Sequence, residues 1–339
     1  PILLGGYRFT DKAAAESFQM DGASVSGFEK TSDTEGVLTL DVPGVSDKNS
    51  AGAALDGKNL TIAADAAGSK LESAKICCLI VCVAGWIPSH AVIRTVDRFR
   101  HIPMLLWGMC GWTENGHIVT TADQAGTTAL RPLFEEMGYR YSYIYSSMDQ
   151  GDPADRIQAF VNASYALQRM RGAKIGSMGY RDMLLYGTQC DGTSLRSVLG
   201  IELEPFEMLE MVQNLDKLSQ SEVDKWKDYV NGSWRILNRT HQVDEVVERG
   251  VRYALAIGRK VEERGFDAVT LLDVDGMKKL AGFPPAMVFM LLNRMYGVQV
   301  IPENDILGAA TQMMLGFAVG ETVPYLEYYE FFKDHLLAG

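Results

Sequence analysis

The sequence has few cysteines, and their number and spacing argue against a protein stabilised by disulfides or by a cysteine-bound zinc ion. Its 339 residues include five cysteines, and no two of them form a Cys-x-x-Cys pair. Cys77, Cys78 and Cys82 lie in one apolar run, whereas Cys110 and Cys190 are isolated. This usage argues against a disulfide framework and against a zinc site built on paired cysteines. We therefore expect reduced thiols that serve as small core residues.

Long apolar segments and runs of like charge are also missing. No segment reaches about eighteen uninterrupted apolar residues, and the amino terminus has no basic region followed by an apolar stretch. We therefore expect no membrane span, no signal peptide and a cytoplasmic location. The formal net charge is −11, and the charges are dispersed along the chain. This balance argues against nucleic acid or an anionic membrane as partner, so we expect a small molecule.

Apolar residues, at 47% of the composition, are numerous enough for two cores of ordinary size. Short apolar runs alternate with helical patterns along most of the chain, which predicts an α/β fold of two doubly wound, mostly parallel-sheet (Rossmann-like) domains. We place the first domain at 1–171, the second at 172–321 and the start of a truncated third region at 322–339. Residues 1–55 are rich in Gly, Ser, Asp and Lys and give the least information.

The individual elements follow from periodicity and from turn residues. The run Ile76 to Ala84 is so uniformly apolar that both faces of its strand must be covered, which predicts a parallel sheet. Asp152 and Pro153 have the residue types of an N-cap and a first helical residue. The predicted strands are 37–42, 59–63, 76–84, 102–107, 139–144, one within 171–179, 266–272, 298–301 and 323–326. The predicted helices are 89–99, 120–137, 153–170, 218–231, 243–264 and 306–317.

Two glutamates follow apolar runs near the end of the chain. Pro302 stops the strand at 298–301 and leaves Glu303 at its carboxyl end. The run 323–326 leads in the same way to Glu327, so the two carboxylates are predicted at equivalent ends of neighbouring parallel strands. Open α/β sheets place their sites at this edge. Either glutamate alone would be an ordinary helix cap or surface ion-pair residue, but the two together predict a site.

The run Glu303-Asn304-Asp305, followed by a helix and then Glu327, resembles the L-fucose isomerase family, with the L-arabinose isomerases as more distant relatives. The resemblance covers roughly residues 76–331. It implies that Glu303 and Glu327 bind Mn²⁺, or another divalent cation such as Mg²⁺ or Co²⁺, and act as acid and base between the first two carbons of a sugar. Fucose isomerases have Asp at the second position, and Glu327 follows the arabinose pattern. Carboxylates and a hard cation suit this chemistry because they stabilise an enediolate.

The same resemblance gives Trp86 a role in binding substrate. Trp86 lies in the run Gly85-Trp86-Ile87-Pro88 after a predicted strand, and by itself it would be an ordinary packing residue beside a proline. In fucose isomerases a Trp at this place lies against the sugar of a neighbouring subunit, which implies a homo-oligomer, a hexamer or a trimer. The family also has a sugar-binding polar residue near the end of the strand at 266–272, and Asp273, Asp275 and Lys278 remain alternatives for it.

The chain departs from the family at its carboxyl-terminal end. Fucose isomerases complete their metal site with a His from a further domain, and we expect that domain to be missing. His335 is predicted to be a surface residue on a terminal helical turn. The rival hypothesis is a non-catalytic sugar-binding or regulatory protein on the same scaffold. A nicotinamide site is not expected, because the glycines of 171–179 form an incomplete dinucleotide fingerprint.

Overall fold

The computed structural model describes residues 24–30, 36–41, 57–74, 76–146, 153–237 and 242–339. The chain forms two compact units, Pro1–Ser164 and Tyr165–Gly339. The domain boundary predicted at 171 and the third region predicted from 322 stay predictions. The predicted N-cap Asp152 lies outside the described residues.

The first unit is built on a parallel sheet of three strands, in the order β3-β4-β7. Its described strands are β1 (Ser24–Lys30), β2 (Gly36–Asp41), β3 (Leu79–Val83), β4 (Met104–Gly108), β5 (Trp112–Glu114), β6 (His117–Val119) and β7 (Tyr141–Tyr145). Its described helices are α1 (Gly57–Ser73), α2 (Ser89–Val96), α3 (Asp123–Glu136) and α4 (Ala154–Met170), the last of which runs on into the second unit. The pairs β1–β2 and β5–β6 are antiparallel hairpins.

One prediction in this unit is wrong. The run 59–63, predicted as a strand, lies inside helix α1. A short apolar run does not distinguish a strand from a buried helical segment. The residues that follow it, ADAAGSKLES, are mostly helix formers and extend the helix to Ser73. The longer helical context therefore overrides the short strand-like segment at 59–63, in which Leu60 and Ile62 alternate with polar residues.

The second unit contains a parallel sheet of four strands, in the order β11-β10-β8-β9. Its strands are β8 (Lys174–Met178), β9 (Glu202–Phe206), β10 (Ala268–Leu271), β11 (Gln299–Ile301), β12 (Tyr328–Phe331) and β13 (Leu336–Ala338). Its helices are α5 (Gly192–Leu199), α6 (Met208–Leu215), α7 (Gln220–Ser233), α8 (Val243–Arg264), α9 (Ala286–Tyr296) and α10 (Ile306–Val319). A single π-helical turn spans Asp273–Lys278.

Both faces of this sheet are buried. Successive strand residues point to opposite faces, and accordingly Val269 packs into one hydrophobic cluster and its neighbour Ala268 into another. The first cluster includes residues of α6, α7, α8 and α9, and the second includes residues of α5 and α10. Helices thus cover the sheet on both sides, as parallel strands require. The predicted α/β fold class is confirmed.

The order of the strands defines a crevice at the carboxyl edge of this sheet. From β8 the chain passes to β9 on one side, and it then crosses to β10 and β11 on the other side. The strand order therefore reverses between β8 and β10, which is where open α/β sheets bind ligands. None of the helices in the described part of the chain combines the length and the apolar composition that a bilayer span needs.

Candidate functional site

Glu303 lies directly after β11, at the carboxyl edge of the second unit's sheet. The strand ends at Ile301, and the backbones of Glu303 and Asn304 then adopt left-handed conformations with φ of 61° and 51°. Asp305 follows as the N-cap of α10, and its carboxylate accepts the N–H of Gly308 at 2.9 Å. Two successive non-glycine residues in this region are strained, and such strain is common at functional sites.

The carboxylate of Asp273 holds the backbone of Glu303. The N–H of Glu303 donates to Oδ1 of Asp273 at 2.8 Å, and Nζ of Lys278 lies 3.0 Å from Oδ2 of the same carboxylate. Asp273 is buried, whereas the side chain of Lys278 is about half exposed. Burial raises the pKa of Asp273 and Lys278 opposes that rise. The buried carboxylate therefore connects the turn after β10 to the turn after β11.

Asp182 lies in the loop after β8 and caps the π-helical turn that starts at Asp273. Its side chain is fully buried. The two carboxylate oxygens accept the N–H groups of Val274 at 2.8 Å, Asp275 at 2.9 Å and Met183 at 3.0 Å. A carboxylate at the start of a helical turn satisfies N–H groups that have no partner within the turn. The loops after β8 and β10 are thus connected as well.

Glu327 lies at the base of the hairpin formed by β12 and β13. The predicted strand at 323–326 is wrong, because this stretch has no strand pairing and the described strand begins at Tyr328. Glu327 and Gly339 exchange two backbone hydrogen bonds of 2.8 and 3.0 Å. The Tyr325 hydroxyl donates to Oε1 of Glu327 at 2.6 Å. Glu327 therefore does not follow a parallel strand, and an antiparallel hairpin and a tyrosine fix its position instead.

The two predicted carboxylates nevertheless interact through their charges. Burial raises the pKa of Glu303 most, and the negative charges of Glu327, Asp273 and Asp182 raise it further, while Lys278 lowers it. Glu327 is thus the charged neighbour with the largest effect on Glu303. Glu303 and Glu327 are both partly buried, and the charges that act on Glu303 are mostly negative, which favours the binding of a cation.

Sequence reasoning left open or missed several of the side chains that act on Glu303 and Glu327. Among the alternatives Asp273, Asp275 and Lys278, the first supports Glu303 and the third is the half-exposed cation beside it. Asp275 instead pairs with Lys279 at 2.6 Å. Asp182 and Tyr325 were missed altogether. No local pattern marks Asp182, since two of its three backbone partners are 92 and 93 residues away.

Trp86 belongs to the first unit, and His335 belongs to the terminal hairpin of the second unit. Trp86 follows β3 in the first unit and its side chain is largely exposed, at 62%, while its backbone N–H donates to the carbonyl of Thr121 at 2.8 Å. His335 was predicted on a helical turn, but it lies in the turn between β12 and β13. Its exposed ring stacks on Phe332 at 4.5 Å and contacts Asp334 at 2.7 Å. Its predicted surface exposure is confirmed. The substrate role of Trp86 stays a prediction.

The cysteines are free, as expected, but only half-buried. Burial raises the pKa of Cys82 to about 11, so that thiol is a poor nucleophile at neutral pH.

The pKa of Glu303 gives a direct test of its proximity to Glu327. In the metal-free protein, Glu327→Gln is expected to lower the pKa of Glu303, because a negative neighbour is lost. The pKa of Glu303 should still stay above the ordinary carboxyl value, since burial is the largest cause of its shift. ¹³C NMR titration of labelled glutamate carboxyls measures this, with the Glu303→Gln spectrum as the assignment. Glu330→Gln, an exposed change on the same hairpin, is the control; equal effects of the two variants would contradict the arrangement.

Comparisons with known proteins identify sugar isomerases as distant relatives. No family model matches the chain. Sulfoquinovose isomerase of Priestia aryabhattai is 18% identical over 235 residues, which is 69% of this chain and 51% of that protein. L-fucose isomerase of Haemophilus influenzae is 27% identical over 134 residues, or 39% of this chain and 23% of that protein. The corresponding enzyme of Vibrio vulnificus is 27% identical over 125 residues, or 37% and 22%. The chain thus spans about half the length, or less, of the relatives it matches.

Proposed function

We propose that this chain carries the acid–base carboxylates of an aldose–ketose isomerase that acts on a free sugar. The observation that carries the proposal is the pair Glu303 and Glu327: Glu303 lies at the carboxyl edge of a parallel sheet, and the negative charge of Glu327 raises its pKa. The distant relatives named above are sugar isomerases with two different substrates. Their shared chemistry, rather than either substrate, is what this proposal extends to the chain.

The carboxylate donors fit a hard divalent cation such as Mn²⁺, Mg²⁺ or Co²⁺. Glu303 and Glu327 repel each other across a partly buried crevice, and a cation between them would relieve that repulsion. Such ions are often held by one or two carboxylates together with water or substrate oxygens. Within the described residues, no cluster of three His, Cys, Asp or Glu side chains is suited to a metal. The site that we propose therefore has two protein ligands, Glu303 and Glu327, and water or substrate oxygens would supply the others.

The isomerisation needs one proton moved between carbons and one between oxygens. In the proposed mechanism the carboxylate of Glu303 removes the proton from C2 of the aldose. The C–H electrons form the C1–C2 double bond, and the π electrons of the C1 carbonyl move to O1, which gives an enediolate. Glu303 then returns a proton to C1, while Glu327 moves the hydroxyl proton from O2 to O1, which gives the ketose. A raised pKa suits this role because a base works best when its pKa approaches the working pH. A divalent cation bound here would spread the negative charge of the enediolate.

Two neighbouring groups support these carboxylates. The Tyr325 hydroxyl, whose pKa is raised by burial and by its bond to Glu327, stays protonated and keeps one oxygen of Glu327 in a fixed direction. Lys278 adds a positive charge beside Glu303. The other oxygen of Glu327 and the carboxylate of Glu303 are the groups we propose to face the sugar.

The homo-oligomer expected from the role of Trp86 also remains a proposal. Trp86 is largely exposed on the first unit, and we propose that it contacts the sugar bound to another copy of the chain. Light scattering at micromolar concentration should then give a trimer or hexamer, and the mass of a single chain would contradict it.

Deuterium exchange is the sharpest test of the proposed activity. The chain, loaded with Mn²⁺, is incubated in D₂O with pentoses, hexoses and deoxy sugars, including L-fucose and sulfoquinovose. For the sugar that the chain accepts, isomerisation is expected to give the ketose and to place deuterium from the solvent on carbon, and NMR measures both changes. Samples with a chelator, and the Glu303→Gln variant, are the controls. Sugar binding without exchange or turnover would instead indicate the rival, a non-catalytic sugar-binding protein.

A further inference from the structure

We infer that Asn304 is a positioning residue whose side chain holds Glu303 in place for the proposed reaction. The inference rests on the proposed function of Glu303, but its evidence is independent of that function. Asn304 is 1% exposed, and both ends of its amide are hydrogen-bonded. The Ser177 hydroxyl donates to Oδ1 at 2.8 Å, and Nδ2 donates to the carbonyl of Tyr180 at 2.7 Å.

The backbone of Asn304 is connected to other segments of the second unit. Its N–H donates to the carbonyl of Leu271, the last residue of β10, at 2.9 Å. Its carbonyl accepts a longer bond, of 3.5 Å, from the side chain of Gln189. Together with the contacts to Ser177 and Tyr180, these bonds join the ends of β8 and β10 to the turn after β11.

This connection matters because Glu303 and Asn304 are both in the left-handed region. The direction of a side chain depends on its backbone dihedral angles, so the placement of the Glu303 carboxylate depends on keeping this strained turn. Asn tolerates this conformation better than most residues. The side-chain bonds of Asn304 and the bond from Glu303 to Asp273 oppose relaxation of the turn. The arrangement is typical of a rigid support for a reacting group.

A purely structural asparagine is the alternative, and the same unit provides one for comparison. Asn214 on α6 is 4% exposed. Its Nδ2 donates to the carbonyl of Ala256 at 3.1 Å, and its Oδ1 accepts from Lys217 at 3.0 Å. Asn214 and Asn304 thus have similar burial and a similar use of the amide, but Asn214 bonds to helix α8 and to the turn after α6 rather than to the site. Asn214→Ala is therefore the matched control for Asn304→Ala.

The experiment compares Asn304→Ala, Asn304→Gly and Asn214→Ala in the full chain. Glycine adopts the left-handed region without strain, so Asn304→Gly removes the side-chain bonds while permitting the backbone conformation. Both changes at 304 are expected to weaken Mn²⁺ binding about tenfold or more by calorimetry. All three variants are expected to lower the melting temperature by similar amounts. Asn214→Ala, however, is expected to keep the Mn²⁺ affinity within about twofold of the parent value. Parent-like Mn²⁺ affinity in Asn304→Gly, or equal losses in all three variants, would overturn the inference.

A second measurement separates this inference from the proposed function. The pKa of Glu303 in the metal-free protein depends on its burial and on the distances to Glu327 and Asp273. If Glu303 moves, its pKa should change in Asn304→Gly and stay at the parent value in Asn214→Ala. If the parent chain binds no Mn²⁺ and turns over no sugar, the proposed function fails, but this NMR titration still decides the role of Asn304. An unchanged pKa in Asn304→Gly would overturn that role.

Discussion

Replacing Glu303 with glutamine is expected to abolish isomerisation while leaving the fold intact. Glutamine keeps the shape of the side chain but removes its charge and basicity, and loss of a general base lowers a rate by about 10²- to 10⁴-fold. Mn²⁺ affinity should fall with it, by at least about tenfold, because one of two carboxylate ligands is lost. Calorimetry measures the affinity, and NMR of the sugar measures the rate.

The stability of this variant should change in the opposite direction to its activity. The folded protein raises the pKa of Glu303, so it favours the protonated form relative to the unfolded chain. The free energy of unfolding therefore falls as pH rises from the ordinary carboxyl pKa of 4.5 through the raised pKa of the folded protein. Above that pKa, Glu303 causes no further decrease. Glu303→Gln has no such loss. It should therefore be at least as stable as the parent at neutral pH and show less dependence on pH in this range.

Glu327→Gln provides the companion experiment. If both glutamates bind the same ion, the double variant should lose little more Mn²⁺ affinity than the weaker-binding single variant. The effects of two substitutions are not additive when both residues bind one ion. Parent-like Mn²⁺ affinity in both single variants would show that these carboxylates are not the ligands, and the isomerase proposal would lose its main support.

The largest effect on stability is expected from Asp182→Ala. The buried carboxylate accepts three backbone N–H groups, from Met183, Val274 and Asp275, and alanine would leave them without these partners. Hydrogen bonds to charged groups contribute about 1.5–3 kcal/mol each, and they are not fully additive. We expect a loss of roughly 3–5 kcal/mol in the free energy of unfolding, measured by urea denaturation.

The control for this change is Asp191→Ala. Asp191 is an exposed N-cap of α5, and its carboxylate accepts the N–H of Ser194 at 2.7 Å. Loss of an ordinary N-cap costs about 1 kcal/mol. If Asp182→Ala were no more destabilising than Asp191→Ala, the buried carboxylate would not be what holds the turn after β10.

Local sequence determined most of the α/β framework. Helix α8 spans Val243–Arg264, as its periodicity predicts, because its apolar stripe is continuous and Gly265 ends it with φ of 66°. The position of Glu303 could be predicted for a similar reason, since the run that becomes β11 is followed at once by Pro302. These features depend on residues a few positions apart, so the sequence displays them directly.

Tertiary structure decided how the site is assembled. Glu327 was predicted after a parallel strand, but it lies at the base of an antiparallel hairpin and acts on Glu303 across the fold. The left-handed turn at Glu303 and Asn304 has no glycine to mark it. Asp182 acts on a turn about 90 residues further along the chain. Periodicity carries no information on such contacts, because they depend on which loops the order of the strands brings to the same edge of the sheet.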